Sequence, residues 1–411
     1  MKVTGIIAEY NPFHNGHKYQ LDQARSLTNA DYLIVVMSGD FTQRGAPALI
    51  DKYSRTKMAL EGGADLVIEL PVYYAAASAE YFSNGAISIL HQLGIVDSVC
   101  FGSECGDIDV LYKIANILAN EPAAFKALLQ DNIKGKMTFP QARNITLESL
   151  YPEIPNISDI LSSPNNILGI EYIKAIIRMN SSIVPYTNLR VGSDYHDKRL
   201  AQNNSSAIAI RHSLMDHNEL SHIEDQVPVK TFEILKEEYK KTYPIFHDDI
   251  SGLLKYKLLL EKELGYTSYV DVSRELSDRI CNSLNSFHGF DDFSMMLKTK
   301  DITYTRVCRS LLHILLNLKQ DILDSFVSND YCYYARVLGF KETSLPLLNK
   351  IKNSTSIPLI SKLADANSLL GTLGNLQLES DLLAAHVYQS ILSEKFNRPM
   401  MNEYERRILK I

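Results

Sequence analysis

Two histidines, His14 and His17, flank a glycine in the stretch Tyr10-Asn11-Pro12-Phe13-His14-Asn15-Gly16-His17. Imidazole N–H groups can donate to phosphate oxygens, in a resting complex or as charge develops in a transition state. Gly16, with no side chain, lets the backbone come close to a ligand. An apolar run, Val3-Thr4-Gly5-Ile6-Ile7-Ala8, precedes the turn and reads as a buried parallel strand. After it, His17 to Ser26 has the periodicity of a helix, with Leu21, Ala24 and Thr28 along one side. The histidines therefore sit at a helix N-terminus, where unpaired N–H groups and a partial positive charge attract phosphate. These residue types in this order point to a nucleotide and to nucleotidyl transfer.

The elements that must position the turn follow from the hydrophobic pattern. Tyr32 to Met37 reads as a second buried strand, ending in the loop Ser38-Gly39-Asp40-Phe41-Thr42-Gln43-Arg44-Gly45. Asp51 to Glu61 predicts a helix carrying Lys52, Arg55 and Lys57, and Ala64 to Leu70 a third strand closed by Pro71. A single Ala-rich helix is expected from Ala75 to Leu93, then a fourth strand from Asp97 to Glu104 with Gly102 near its carboxyl end. A fifth strand and its loop are expected around Thr187 to His196. Strand–helix alternation with short connections implies an α/β fold with a doubly wound parallel sheet. Such sheets bind ligands beyond the carboxyl ends of their strands. The His14–His17 turn, the Gly39–Gly45 loop and Gly102 should then share one cleft. Residues 107–155 read as a helical insertion. Another helix begins near Ser163-Pro164-Asn165-Asn166, with either asparagine as N-cap or as ligand contact. Ser205-Ser206-Ala207-Ile208-Ala209-Ile210-Arg211 opens a further helix with a phosphate-friendly serine start.

With 411 residues, 45% of them hydrophobic and 22% charged, the chain is long enough for two or three domains of ordinary globular composition. No apolar run is long enough to span a membrane, and Met1-Lys2-Val3 enters the first strand without a signal-type segment. Five cysteines, an odd number with no C-x-x-C pair, fit free thiols in a reducing cytoplasm and argue against zinc or other resident metal. A net charge of −6 excludes an indiscriminate nucleic-acid binder such as a DNA-coating protein, but leaves a specific RNA partner open. Oligomeric state is left open as well.

Beyond about residue 225, strand-like runs give way to helical periodicity, as in Val307, Leu311, Leu312, Leu315 and Leu316. Cations punctuate this half at Lys298, Lys300, Arg306, Arg309, Arg336, Lys341, Lys350, Lys352, Arg398, Arg406, Arg407 and Lys410, interleaved with Tyr304, Tyr331, Tyr333 and Tyr334. Two readings stand: a helical bundle with a solvated face, or a surface that takes RNA phosphates on cations and bases on aromatic rings. The expected division is a catalytic domain over 1–220 and a mostly α-helical region over 221–411.

The first signature, His14-Asn15-Gly16-His17, and the second, Ser205 to Arg211, resemble those of the HxGH nucleotidyltransferase superfamily. More narrowly, Glu9 to His17, Ser38 to Ala48, Phe101-Gly102-Ser103-Glu104, Asn165 to Tyr172 and Gly192-Ser193-Asp194-Tyr195-His196-Asp197 resemble the bacterial tRNA(Met) cytidine acetate ligase family. The second signature departs at Ala207, where Thr is frequent. The similarity runs the whole length and is densest over 1–220. It implies a Rossmann-like fold and an ATP-dependent, cytoplasmic enzyme using Mg²⁺ on the phosphates. Such an enzyme activates acetate as acetyl-adenylate and passes the acetyl group to N4 of the wobble cytidine of elongator tRNA(Met). Carried over by position, the ATP site comprises Ile7, Ala8, Glu9, Tyr10, Asn11, Pro12, Phe13, His14, Asn15, Gly16, His17, Lys18, Tyr19 and Gln20, with Gly102, Asn165, Arg190, Ser206 and Arg211. His14 and His17 would be its catalytic pair.

The implied chemistry suits the residues. Acetate is an anion at pH 7, so its attack on the α-phosphorus needs relief of charge repulsion and in-line positioning rather than a base. Two rivals remain at this level. A small-molecule adenylyl- or cytidylyltransferase is the commoner use of such a domain, though residues 225–411 exceed what it needs. A non-catalytic, nucleotide-sensing RNA-binding protein would use the same cleft without turnover.

Overall fold

Short Val- and Ile-rich runs build one eight-stranded sheet whose central strands are buried. The computed structural model describes residues 1–190, 200, 205–217 and 219–411. Its strands are β1 (Val3–Ala8), β2 (Tyr32–Ser38), β3 (Leu66–Leu70), β4 (Ser98–Ser103), β5 (Val184–Leu189), β6 (Ala335–Phe340), β7 (Leu359–Ile360) and β8 (Leu409–Lys410). The helices that matter for the site are α1 (Asn15–Thr28), α2 (Lys52–Glu61), α3 (Ala79–Gln92), α4 (Pro164–Arg178) and α5 (Ala207–His217).

The sheet order is β8-β6-β3-β2-β1-β4-β5, with β7 beside β6. Strands β3-β2-β1-β4-β5 are all parallel, in the order of a doubly wound nucleotide-binding sheet. Because side chains alternate across a strand, Ile6, Leu33, Val35 and Met37 face a core shared with Leu21, Ala24 and Met58. Val3, Ile7, Ile34 and Val36 face the opposite core.

The second half is mostly helical as expected, but it is not free of strands. β6 joins the sheet antiparallel to β3, and β7 and β8 pair with β6. A six-residue apolar run cannot be told from a buried helical segment by periodicity, and Arg336 and Gly339 disguise this one further. The helix expected over 75–93 starts later, at Ala79. A short helix, Val72–Ala75, ends before Ser78, whose extended backbone restarts the chain as α3. Residues 107–155 are helical, in Ile108–Asn120, Ala123–Lys134 and Phe139–Leu150.

Arg336 is buried at the β3–β6 seam by ion pairing. Its guanidinium lies 2.9 Å from Glu69 Oε2 and 2.7 Å from Glu403 Oε1, while Lys52 Nζ lies 2.8 Å from Glu69 and 2.7 Å from Glu403. Burial opposes ionisation of Glu403, but Lys52 and Arg336 outweigh it and pull its carboxyl down to about 2. One core cluster runs continuously from Val3 on β1 to Leu392 in the long helix Thr372–Phe396. Removing one partner of a buried pair leaves a desolvated charge uncompensated. Arg336→Met is therefore expected to destabilise the fold by about 3–5 kcal/mol, read as a lower urea midpoint with an unchanged slope.

Candidate active site

After β1 the chain turns through Tyr10, a non-glycine residue at φ 50°, and the Asn11–Pro12 peptide is cis. The Tyr10 ring stacks edge-on to both Phe13 and His17, each at 4.8 Å between centroids. His14 is the N-cap of α1. Its Nδ1 accepts from the Gly16 N–H at 3.1 Å, and His17 Nδ1 accepts from the His14 N–H at 3.2 Å. The two imidazoles close a reciprocal capping box and stack on each other at 3.7 Å. Gly16 serves this arrangement, since a Cβ there would come within 2.9 Å of His14 Cε1. Its role is to make room for a histidine ring, where the sequence suggested close approach of a ligand.

Protonation follows from these bonds. Burial, then Arg190 and Arg211, push His14 down to about 3; burial, then His14 and Arg190, push His17 well below the ordinary imidazole range. Both rings are neutral near pH 7. With each Nδ1 accepting, the proton resides on Nε2. The pair is therefore two neutral N–H donors with fixed tautomers.

Around them lies a cleft beyond the carboxyl ends of β1 and β4. Three helix N-termini reach it: α1 with His14, α4 with Asn165, and α5 with Ser206 and Ala207. Ser206 Oγ accepts from the Ala209 N–H at 3.2 Å, so α5 starts with a serine cap. Arg211 Nη1 donates to the Asn11 carbonyl at 2.6 Å, and Arg190 Nη1 lies 3.4 Å from Asn165 Oδ1. Beneath the turn, fully buried Arg55 donates to the carbonyls of Glu9, Ser38 and Gly39, tying the ends of β1 and β2 together. Glu9 in turn accepts from the Gln43 N–H at 2.8 Å, fixing the loop after β2.

Of the residues expected here, Ile7, Ala8, Glu9, Tyr10, Asn11, His14, His17, Gln20, Gly102, Asn165, Arg190, Ser206 and Arg211 line the cleft. Pro12, Phe13, Asn15, Gly16, Lys18 and Tyr19 do not. Phe13 is core, Asn15 Nδ2 donates to the Asp225 carbonyl at 2.8 Å, and Lys18 pairs with Asp22 on the outer face of α1. A helix turns such residues away every 3.6 positions, so a contiguous stretch cannot all face one ligand.

The two asparagines are placed differently. Ser163 with Pro164, not either asparagine, occupies the start of α4. Asn166 turns inward, where its Oδ1 accepts from the N–H groups of Glu104 (2.9 Å) and Cys105 (3.1 Å), while Asn165 faces the cleft and donates to Glu104 Oε1 at 2.6 Å.

Gln43, Arg44, Phe82, Phe101, Leu168, Tyr172, Ala207 and Ile208 line the cleft without having been named as ATP-site residues. All but Phe82 fall inside the motif segments, so the signal was present. What was missing was which side chains turn inward. Residues 192–197, another motif segment, lie outside the described residues.

Residues 1–403 match the family model described as HIGH nucleotidyl transferase, which sets the class of the fold and site. The tRNA(Met) cytidine acetate ligase of Acetivibrio thermocellus is 39% identical over 413 residues, covering 100% of both chains. Two crystal structures of Thermotoga maritima TmcAL superpose along the whole chain. The apo form has a TM-score of 0.94 at 31% identity, with 100% of each chain covered. The form bound with alpha-thio ATP has 0.92 at 30% identity, covering 100% of this chain and 99% of that one. The chain belongs to the tRNA(Met) cytidine acetate ligase family.

Folding that holds both imidazoles neutral makes the protein acid-sensitive. Below pH about 6.5 the unfolded chain protonates both rings and the native state does not. Each histidine then lowers stability by about 1.4 kcal/mol per pH unit until its own native pKa is reached. Nitrogen-detected imidazole spectra at pH 6 should show both rings neutral with Nε2–H; protonation near pH 6.5, or Nδ1–H, would overturn the assignment.

Proposed function

We propose that this chain is an ATP-dependent ligase that activates acetate as acetyl-adenylate and transfers the acetyl group to N4 of the wobble cytidine of elongator tRNA(Met). The observation that carries the adenylation step is the His14–His17 pair, with both Nε2 protons available where three helix N-termini meet.

An acetate oxygen attacks the α-phosphorus, a P–O bond forms, and the bond to the bridging oxygen breaks with loss of pyrophosphate. Charge grows on the phosphoryl oxygens as it does so. Neutral Nε2–H donors and oriented backbone N–H groups stabilise that charge without solvent reorganisation, and Arg190 and Arg211 offset repulsion between acetate and triphosphate. Phe82, Phe101, Leu168 and Tyr172 give the cleft an apolar wall suited to the adenine ring. Among the described residues no three His, Cys, Asp or Glu side chains gather into a metal cage. Mg²⁺ would be held by the triphosphate and its waters.

The tRNA would lie on the helical half, whose Lys298, Lys300, Lys350, Lys352, Arg398 and Arg407 are exposed. Arg336, Arg309 and Tyr334 leave that surface: Arg336 is in the buried network, Arg309 pairs with Asp271 at 2.9 Å, and Tyr334 is buried against Asp381. No helix of the described residues is long and apolar enough to cross a membrane.

Incubation with ATP, labelled acetate and tRNA should give labelled acetylcytidine by mass spectrometry. Pyrophosphate release that depends on a phosphorylated metabolite instead of acetate would favour the small-molecule transferase. His17→Ala should lower acetate-dependent ATP–pyrophosphate exchange by about 10²–10³ while costing only about 0.5–2 kcal/mol of stability as a lost cap. Wild-type exchange in that variant would remove His17 from the mechanism.

A further inference from the structure

A second, larger cavity opens directly beside the first and shares with it Glu9, Asn11, Arg44, Ile208 and Arg211. Its far side differs in chemistry. Ile245, Phe246, Met295 and Tyr304 supply apolar and aromatic surface, and Asp248, Asp249 and Asp291 supply carboxylates. Carboxylates repel the phosphates of a second nucleotide but accept from an exocyclic amine, as aspartate does from cytosine N4. Aromatic faces suit a base drawn out of its stack.

On this side His247 Nδ1 lies 2.7 Å from Asp291 Oδ1, and the Tyr304 hydroxyl donates to the same oxygen at 2.6 Å. Burial raises the Asp291 carboxyl, but the bonds from His247 and Tyr304 outweigh it and hold it below the usual carboxylate range. An ionised Asp291 claims the proton on Nδ1, which leaves the Nε2 lone pair of His247 as a base. This tautomer is opposite to that of His14 and His17.

We propose that this cavity receives the acceptor cytosine and that His247, oriented by Asp291, accepts the proton its N4 loses. The inference rests on the function proposed above. N4 attacks the acetyl carbonyl carbon and a C–N bond forms. The bond from that carbon to the AMP oxygen breaks, its electron pair leaving with AMP, and the N4 proton passes to His247 Nε2. His247 is then a catalytic residue and Asp291 a positioning residue. The other ionisable groups lining the cavity with His247 and Asp291 are Asp248, Asp249 and Tyr304, with Arg211 and His212 from α5 and Glu9 and Arg44 on the shared wall. Lys395 pairs with Asp249 at 2.7 Å.

The two half-reactions separate the roles. His247→Gln should retain acetate-dependent ATP–pyrophosphate exchange. Its single-turnover transfer of labelled acetyl to tRNA should fall about 10²-fold, without the rising limb of the pH–rate profile. Asp291→Asn should lower kcat for transfer and alter the same limb, with KM for tRNA unchanged. Met295→Trp, which fills the cavity, should raise KM for tRNA at least about tenfold with exchange intact. Wild-type transfer and pH profile in His247→Gln would overturn the assignment, as would equal loss of exchange and transfer, which marks a structural role. Failure of the wild-type protein to acetylate tRNA would instead sink the proposed function, and this inference with it.

Discussion

The site depends on one constraint: the backbone N–H groups at the start of α1 are satisfied by imidazole nitrogens. A helix end buried without acceptors is costly, so the capping box would form for structural reasons alone. Once His14 and His17 spend Nδ1 on it, each neutral ring has a single place for its proton. Burial beside Arg190 and Arg211 then keeps the rings uncharged. Capping and catalytic readiness follow from the same two bonds. An N-cap serine or aspartate could replace the first and not the second.

What surrounds that turn combines fixed backbone dipoles with the cations Arg190 and Arg211 on the cleft wall. Three helix N-termini reach the cleft, α4 with its Asn165 and Asn166 N–H groups donated to Glu104, and Arg55 holds the carbonyl ends of β1 and β2 together from below. Dipoles fixed in this way do not reorganise during reaction, the property that makes preorganised sites effective. The neighbouring cavity adds carboxylates, Asp248, Asp249 and Asp291, to its lining. His247 turns its Nδ1 to the Asp291 carboxylate, where His14 and His17 turn theirs to backbone N–H groups.

The helical half is joined to this machinery through the sheet itself. β6 pairs with β3, and Arg336 binds Glu69 across the seam while Glu403 reaches it from near the C-terminus. Tyr388 on the long helix Thr372–Phe396 donates to the Ala48 carbonyl at 2.8 Å, just beyond the loop that carries Gln43 and Arg44. His313, fully buried, lies 2.9 Å from the carbonyls of both Val270 and Ala76. A surface that holds tRNA would therefore be set in fixed relation to the cleft.

Local pattern determined much of this in advance. Five parallel strands, the helix after His14-Asn15-Gly16-His17, and the gathering of that turn with Gly102 and the loop after β2 were legible because periodicity and strand–turn–helix order are local properties. So was the composition of most of the cleft, though not the outward turn of Asn15 and Lys18 or the core position of Phe13. Tertiary structure alone decided the rest. β6 is a strand because Glu69 and Glu403 neutralise Arg336, and those partners are far away in sequence. Arg44, Phe82 and Tyr172 join the site because distant elements converge on it. The chemistry of His14 and His17 was visible as residue types. Their neutral state and the direction of their protons depend on burial, on two arginines from elsewhere in the chain, and on which nitrogen the helix end had already taken.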